Sequence, residues 1–167
     1  QLKSRLAKLK KEGKKGRGGR GHTFSITKEG EAQVCIIGFT NSGKSSLLSK
    51  LTEAKPEIAS HPYTTTKPEV GMMDYSGVKI QLVEIPSTFE PKHVSVARTA
   101  DLIVLIASHE NEEKSLKKFL SDNFIHAKHI FANPFSEPYG LVKEKIWHSL
   151  GLIIVYTKKS KINTPMA

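Results

Sequence analysis

Eight consecutive residues have the composition of a phosphate-binding loop. They read Gly38-Phe39-Thr40-Asn41-Ser42-Gly43-Lys44-Ser45 and match the pattern G-x-x-x-x-G-K-[ST] without a mismatch. Glycines let the backbone curl around a phosphate chain, so that successive amide N–H groups point inward. In this pattern the lysine reaches the β- and γ-phosphates and the serine hydroxyl binds Mg²⁺. The predicted nucleotide-binding residues of the loop are Gly38, Ser42, Gly43, Lys44, Ser45 and Ser46.

The neighbouring elements are those that such a loop needs. The apolar run 33–37 predicts a buried strand before the loop, and the spacing of leucines in 44–53 predicts a helix after it. The helix would add the partial positive charge of its N-terminus to the phosphate site. The alternative interpretation is a glycine-rich turn that joins strand to helix. Because such a turn has no reason to keep the Gly-Lys-Ser triplet, we interpret the motif as a phosphate site.

Strands and helices alternate after this loop. We predict a hairpin of 70–75 and 78–85, a helix over 94–100, a strand over 101–107, a helix over 111–123, a strand over 129–132 and a helix over 141–150. Shorter strands are predicted over 22–27 and 152–157, and a loop over 55–67. The alternation predicts an α/β fold with a mostly parallel sheet, one antiparallel edge strand and helices on both faces.

Positive charge is concentrated at the start of the chain. The 167 residues carry a formal net charge of +10, and residues 1–20 hold nine lysines or arginines and one glutamate. Residues 2–12 predict a basic helix and residues 13–21 a flexible, glycine-rich linker. Such segments bind phosphate backbones without reading sequence, which favours rRNA or another acidic partner. The alternative is a solvated run of charge.

Composition excludes other classes of protein. One cysteine, Cys35, excludes a disulfide framework and fits a reducing cytosol, and this residue is expected in the core. No stretch reaches the roughly 18 to 20 apolar residues that cross a membrane, so we expect a cytoplasmic protein without a membrane partner.

Several stretches together resemble one family. They are Lys44 and Ser45, the loop 61–66 (HPYTTT), the segment 77–82 (GVKIQL), the run 96–102 (VARTADL) and the end from Ile146-Trp147 to Tyr156-Thr157-Lys158-Lys159. This set is similar to the Obg-like GTPases and, within them, to the developmentally regulated GTP-binding proteins. The resemblance implies a P-loop NTPase of the Ras-like G-domain type. It also implies binding of GTP or GDP with Mg²⁺, slow hydrolysis and association with the ribosome.

The same resemblance implies a division of the chain. Residues 1–21 would form the basic helix and linker, where regulatory protein partners also dock in the family. Residues 22–150 would form a shortened G domain, and 151–167 the beginning of a TGS domain. Because the chain begins at Gln1 and stops soon after the last predicted strand, we expect a fragment.

Individual residues can be matched to family roles. The resemblance implies that Asn41 helps to hold K⁺ beside the phosphates, although a loop asparagine that bonds its own backbone is the alternative. Thr65, with Thr64 as the neighbouring candidate, matches the threonine that closes on Mg²⁺ and the γ-phosphate. Lys44 and Thr65 are therefore the expected catalytic residues, which act by position and charge. Glu84 would hold Mg²⁺ through water.

Two departures place hydrolysis and base recognition in question. The family's Asp-x-x-Gly reads Glu84-Ile85-Pro86-Ser87 here, and the Cβ of Ser87 restricts the backbone movement that glycine allows. The base-reading motif Asn-Lys-x-Asp has its nearest match in Asn133-Pro134-Phe135-Ser136, which lacks the aspartate. Asn133 is either a ligand of the base or a turn residue. Three hypotheses stay open: a GTPase with degenerate motifs, a non-hydrolysing scaffold that binds RNA or the ribosome, and an ATPase with relaxed base choice.

Overall fold

A computed structural model describes residues 26–52 and 68–156. The strands are β1 (Ala32–Gly38), β2 (Glu69–Tyr75), β3 (Val78–Glu84), β4 (Leu102–Ile106) and β5 (Lys128–Ala132). The helices are α1 (Lys44–Leu51), α2 (Pro91–Ala97), α3 (Glu110–Asp122) and α4 (Tyr139–Leu150). Within these ranges no helix is both long and apolar enough to span a membrane.

The strands form one sheet in the order β2-β3-β1-β4-β5. β1 lies in the middle and pairs in parallel with β3 and β4, and β5 is parallel to β4. β2 is antiparallel to β3, as the tight connection at Ser76-Gly77 requires. The predicted mostly parallel sheet with one antiparallel edge strand is therefore confirmed.

Helices cover both faces of the sheet because the side chains of a strand alternate. Val34 and Ile36 of β1 face a core that α1 and α4 complete, whereas Cys35 and Ile37 face a core with α2 and α3. All four side chains are fully buried. Burial raises the pKa of the Cys35 thiol to about 12. The predicted core position of Cys35 is thus confirmed.

Three element predictions were wrong in part. α2 begins at Pro91, three residues before its predicted start, because proline suits the first position of a helix. Ile26 and Thr27, the described end of the strand predicted over 22–27, are not in a strand. Residues 152–156 likewise form no strand. The predicted helix 2–12, the linker 13–21 and the loop 55–67 lie outside the described residues.

Candidate nucleotide-binding site

The loop between β1 and α1 is built around two glycines. A Cβ on Gly38 would lie 2.6 Å from Ser42 Oγ and 3.0 Å from the Ile106 carbonyl oxygen, so only glycine fits there. Gly43 has a φ of 91°, a left-handed conformation that glycine adopts without cost, and it is the N-cap of α1. The loop therefore turns tightly from the end of the central strand into the helix, as the motif predicts.

The tip of this loop contains two polar residues in different environments. Asn41 is exposed and has a φ of 61°, a left-handed conformation that asparagine tolerates better than most residues. Ser42 is buried, and its Oγ has no hydrogen-bond partner among the described residues. A buried hydroxyl without a partner is costly in a folded chain. It marks a place where a ligand can supply the missing contact.

Lys44 is held inside the loop. Its side chain is only 6% exposed, and its Nζ donates to the Phe39 carbonyl oxygen at 2.9 Å. Burial lowers the pKa of Lys44, while the charge of Glu84 acts in the opposite direction. The ammonium group therefore lies within the curl of the backbone, where a phosphate oxygen could replace the carbonyl as acceptor.

Ser45 and Glu84 meet at the carboxyl edge of the sheet. The Ser45 hydroxyl donates to Glu84 Oε1 at 3.0 Å, and the second oxygen, Oε2, is buried with no partner in the part of the chain that the structure describes. Burial raises the pKa of Glu84, while the Ser45 hydrogen bond and Lys44 lower it and Glu69 raises it further. A hydroxyl beside a carboxylate with an unused oxygen fits Mg²⁺, which prefers oxygen ligands.

A second contact joins the loop to the segment after β3. Thr40 Oγ1 donates to Ser87 Oγ at 3.1 Å. Ser87 is the residue that the family resemblance matches to the glycine of Asp-x-x-Gly. The two hydroxyls therefore connect the phosphate loop to the segment that follows β3.

The connection from β5 to α4 also approaches the loop. Pro134 Cγ and Phe135 Cζ lie 3.3 and 3.4 Å from where a Cβ on Gly43 would stand. Asn133 Oδ1 accepts a hydrogen bond from the Phe135 amide at 3.0 Å, which is the turn geometry considered for this residue. Asn133 nevertheless lies directly after a parallel strand, at the same sheet edge as the loop.

The structure thus brings together most of the residues that the motifs indicated. Those at one sheet edge are Gly38, Asn41, Ser42, Gly43, Lys44, Ser45, Ser46, Glu84 and Asn133. Thr64 and Thr65 lie outside the described residues. Sequence reasoning missed Thr40 and Phe135 as neighbours of the site. Their positions inside or next to a recognised motif were the available signal.

Comparison with known proteins agrees with this geometry. A family model described as "50S ribosome-binding GTPase" matches residues 33–133. The bacterial selenocysteine-specific elongation factor EF-Sec has a similar fold, with a TM-score of 0.53 and 12% identity over 75% of this chain and 30% of that one. At that identity the likeness concerns the fold alone.

Relatives from plants and fungi share more of the sequence. "Developmentally-regulated G-protein 3" of Arabidopsis thaliana is 38% identical over 119 residues, and "GTP-binding protein 1" of Schizosaccharomyces pombe is 39% identical over 121. Each alignment covers 63% of this chain and 32% of the relative, so the chain spans about a third of their length. The chain belongs to the 50S ribosome-binding GTPase family and is similar to the developmentally regulated GTP-binding proteins.

Proposed function

We propose that the loop Gly38–Ser45 binds GTP and GDP together with Mg²⁺. The observation that carries this proposal is the arrangement of Lys44, Ser45 and Glu84. A buried ammonium group, a helix-start hydroxyl and a carboxylate oxygen without a partner lie at one sheet edge. The fold already gives Lys44 and Ser45 a partner each, but it leaves Glu84 Oε2 and the neighbouring Ser42 Oγ buried without one among the described residues. A nucleotide with its metal would supply partners at both places.

The residues of the site would contact different parts of the bound nucleotide and its metal. Ser45 would be the direct ligand of Mg²⁺, Glu84 would hold it through water, and Thr65 would join them when the γ-phosphate is present. When bound, Mg²⁺ would supply charge neutralisation to the phosphates as the γ-phosphoryl group is transferred to water. Lys44 would hold the β- and γ-phosphates, and the loop amides would donate to their oxygens. Catalysis would then consist of positioning and charge stabilisation.

Lys44→Ala tests the phosphate site. The variant removes the charge that would face the phosphates, so we expect GTP affinity measured by calorimetry to fall by about 100-fold. Lys50→Ala removes an exposed lysine from the same helix and should leave the affinity unchanged. Equal affinity of the parent and Lys44→Ala would refute the proposal.

Slow hydrolysis is the activity that we propose for this site, with a non-hydrolysing scaffold as the second candidate. The Thr40–Ser87 hydrogen bond favours the second candidate, since it ties the loop to the segment where glycine normally allows movement. Multiple-turnover release of phosphate, compared with Ser45→Ala as background, separates the two. Hydrolysis above that background rejects the scaffold. If the parent hydrolyses GTP no faster than this background and Ser87→Gly hydrolyses it faster, the scaffold is supported.

We also propose the partners and the division of the whole chain. The basic residues 1–20 would bind rRNA or the ribosome, and a regulatory protein could dock on the same segment. In the phosphate loop, Asn41 would hold K⁺. Residues 22–150 would be the shortened G domain, and 151–167 would begin a TGS domain. The description of the matched family and the charge of residues 1–20 support the ribosomal partner. The protein would act in the cytoplasm.

A further inference from the structure

An exposed aromatic side chain lies beside the phosphate loop. Phe135 is 71% exposed, although its Cζ lies within 3.4 Å of where a Cβ on Gly43 would stand. Pro134 lies against the same glycine. A phosphate chain bound in the loop would bring its nucleoside to this sheet edge, which is where β5 ends. Phe135 is thus an apolar surface next to the place where a base would project.

The loop that carries Phe135 lacks the acceptor that reads guanine. Within residues 133–138 the one carboxylate belongs to Glu137, and its Oε2 is paired with Lys145 Nζ at 2.7 Å. Ser136, at the position of the family aspartate, offers a single hydroxyl. A pair of parallel hydrogen bonds to guanine N1 and N2 needs a carboxylate there. The described loop therefore has no unpaired carboxylate with which to distinguish the guanine edge.

The Asn133 side chain is a polar group of the loop that suits either purine. The side-chain oxygen of Asn133, Oδ1, accepts a hydrogen bond from the Phe135 backbone N–H at 3.0 Å, and its Nδ2 is the side-chain donor. Adenine and guanine both present an acceptor at N7. Stacking on an aromatic ring is likewise tolerant, because every base has a π-face.

We propose that this loop reads purines by the ring face and N7, so that the site binds adenine and guanine nucleotides with similar affinity. Phe135 is then the residue that determines base affinity, and Asn133 favours purines over pyrimidines. The inference rests on the proposed function, since it requires a nucleotide in the phosphate loop. It adds a substrate class, purine nucleoside di- and triphosphates, to that function.

Competition among nucleotides tests the inference. With Mg²⁺ present, the affinities of the parent for GTP and ATP should agree within about tenfold, whereas a site that reads the guanine edge by hydrogen bonds discriminates by about 10⁴-fold. CTP should bind more weakly than either purine. A GTP preference above about tenfold would overturn the inference and leave the proposed function intact.

Inorganic triphosphate, which has no base, separates the two proposals. Binding of triphosphate that Lys44→Ala abolishes supports the phosphate site, whatever the base preference. If neither triphosphate nor any nucleotide binds, the proposed function fails and the inference fails with it.

Variants of the loop 133–138 test whether it contacts the base. Phe135→Ala should weaken GTP and ATP binding alike by roughly tenfold and leave triphosphate binding unchanged. Phe124→Ala is the matched control. Phe124 is also 71% exposed, but it precedes β5 and so lies at the amino ends of the parallel strands, away from the phosphate loop. Ser136→Asp should raise the ratio of GTP to ATP affinity at least about tenfold. Unchanged nucleotide affinities in Phe135→Ala, or an unchanged ratio in Ser136→Asp, would overturn the assignment of this loop to the base.

Discussion

Glu84 shows the conflict between stability and function in a single residue. The residue is 3% exposed, its carboxylate accepts one hydrogen bond from Ser45, and the second carboxylate oxygen has no partner among the described residues. A buried charge of this kind costs stability unless it is paired. The same unused oxygen is what suits the residue to hold a metal ion. The residue is therefore better adapted to the proposed nucleotide-bound state than to the empty one.

This conflict predicts a pH dependence of the nucleotide-free protein. Burial raises the pKa of Glu84 above its usual value of 4.5, so the folded chain holds this proton more strongly than the unfolded chain. The contribution of Glu84 to stability is then greatest at low pH and declines as pH rises through the raised pKa. We expect Glu84→Gln to lack this decline. The unfolding free energy of the variant relative to the parent, measured by urea denaturation at a series of pH values from 4.5 upward, should therefore rise with pH.

The control for this experiment is Glu110→Gln. The Glu110 side chain is 78% exposed and pairs with Lys114 on the surface of α3, so its loss should not change the slope. A slope in Glu84→Gln equal to that of the parent would contradict the account of Glu84.

Residue positions were predictable where one motif contains the partners. The places of Lys44 and Ser45 at the start of α1 could be predicted because the loop pattern fixes them relative to the helix. The Thr40–Ser87 hydrogen bond could not, since it joins residues 47 positions apart whose proximity depends on the pairing of β1 with β3. The Ser45–Glu84 bond joins residues 39 apart and has the same origin.

At the scale of elements, the site depends on how closely β1, β4 and α1 approach one another. β1 ends at Gly38, and β4 runs beside it through Ile106. The absence of a side chain at position 38 lets the loop pass over the end of β4. Close packing in this region leaves little room for adjustment.

Two glycine substitutions test this packing in opposite directions. Gly38→Ala would place a methyl group 2.6 Å from Ser42 Oγ and 3.0 Å from the backbone of Ile106, and we expect it to cost about 1 to 3 kcal/mol of unfolding free energy. Gly140→Ala, in α4 with no atom within 4 Å of the new group, should stabilise the protein by up to about 1 kcal/mol. Urea denaturation measures both, and a Gly38→Ala variant as stable as the parent would count against the tight loop.

Most elements were predicted from local signals, and the errors lie where one signal was given too much weight or where a strand lacked a partner. β1, β4 and the hairpin of β2 and β3 have long apolar or alternating runs. The start of α2 was misplaced because apolar spacing was given more weight than Pro91. Residues 152–156 have the β-branched and aromatic composition of a strand, but they pair with no neighbour in the described structure. A strand exists only where another strand supplies its hydrogen bonds.

At the scale of the whole molecule, charge and nucleotide chemistry occupy different parts of the chain. Most of the net charge of +10 belongs to residues 1–20, whereas the proposed phosphate site begins at Gly38. Surface ion pairs such as Lys28–Asp101 and Lys79–Asp74 balance charge within the body. Binding to nucleic acid and binding to nucleotide should therefore be separable.

Deletion of residues 1–20 tests this separation. We expect the shortened chain to bind ribosomes or RNA more weakly and with a smaller dependence on salt, because fewer phosphates are neutralised. GTP affinity should stay within about twofold, since none of these residues belongs to the loop. Sedimentation with ribosomes at several salt concentrations and calorimetry with GTP measure the two effects. A large loss of GTP affinity would show that the division is wrong.

The position of Cys35 makes the molecule suitable for site-specific labelling. It is the one cysteine in the chain, it is fully buried in the middle strand, and burial raises its pKa to about 12. Maleimide dyes react with thiolates, so the buried native thiol should not be labelled in the folded protein. A cysteine introduced at an exposed position, such as Ser136 beside the proposed base site, would carry the only fluorophore. The protein could therefore be labelled with a single dye without first replacing Cys35.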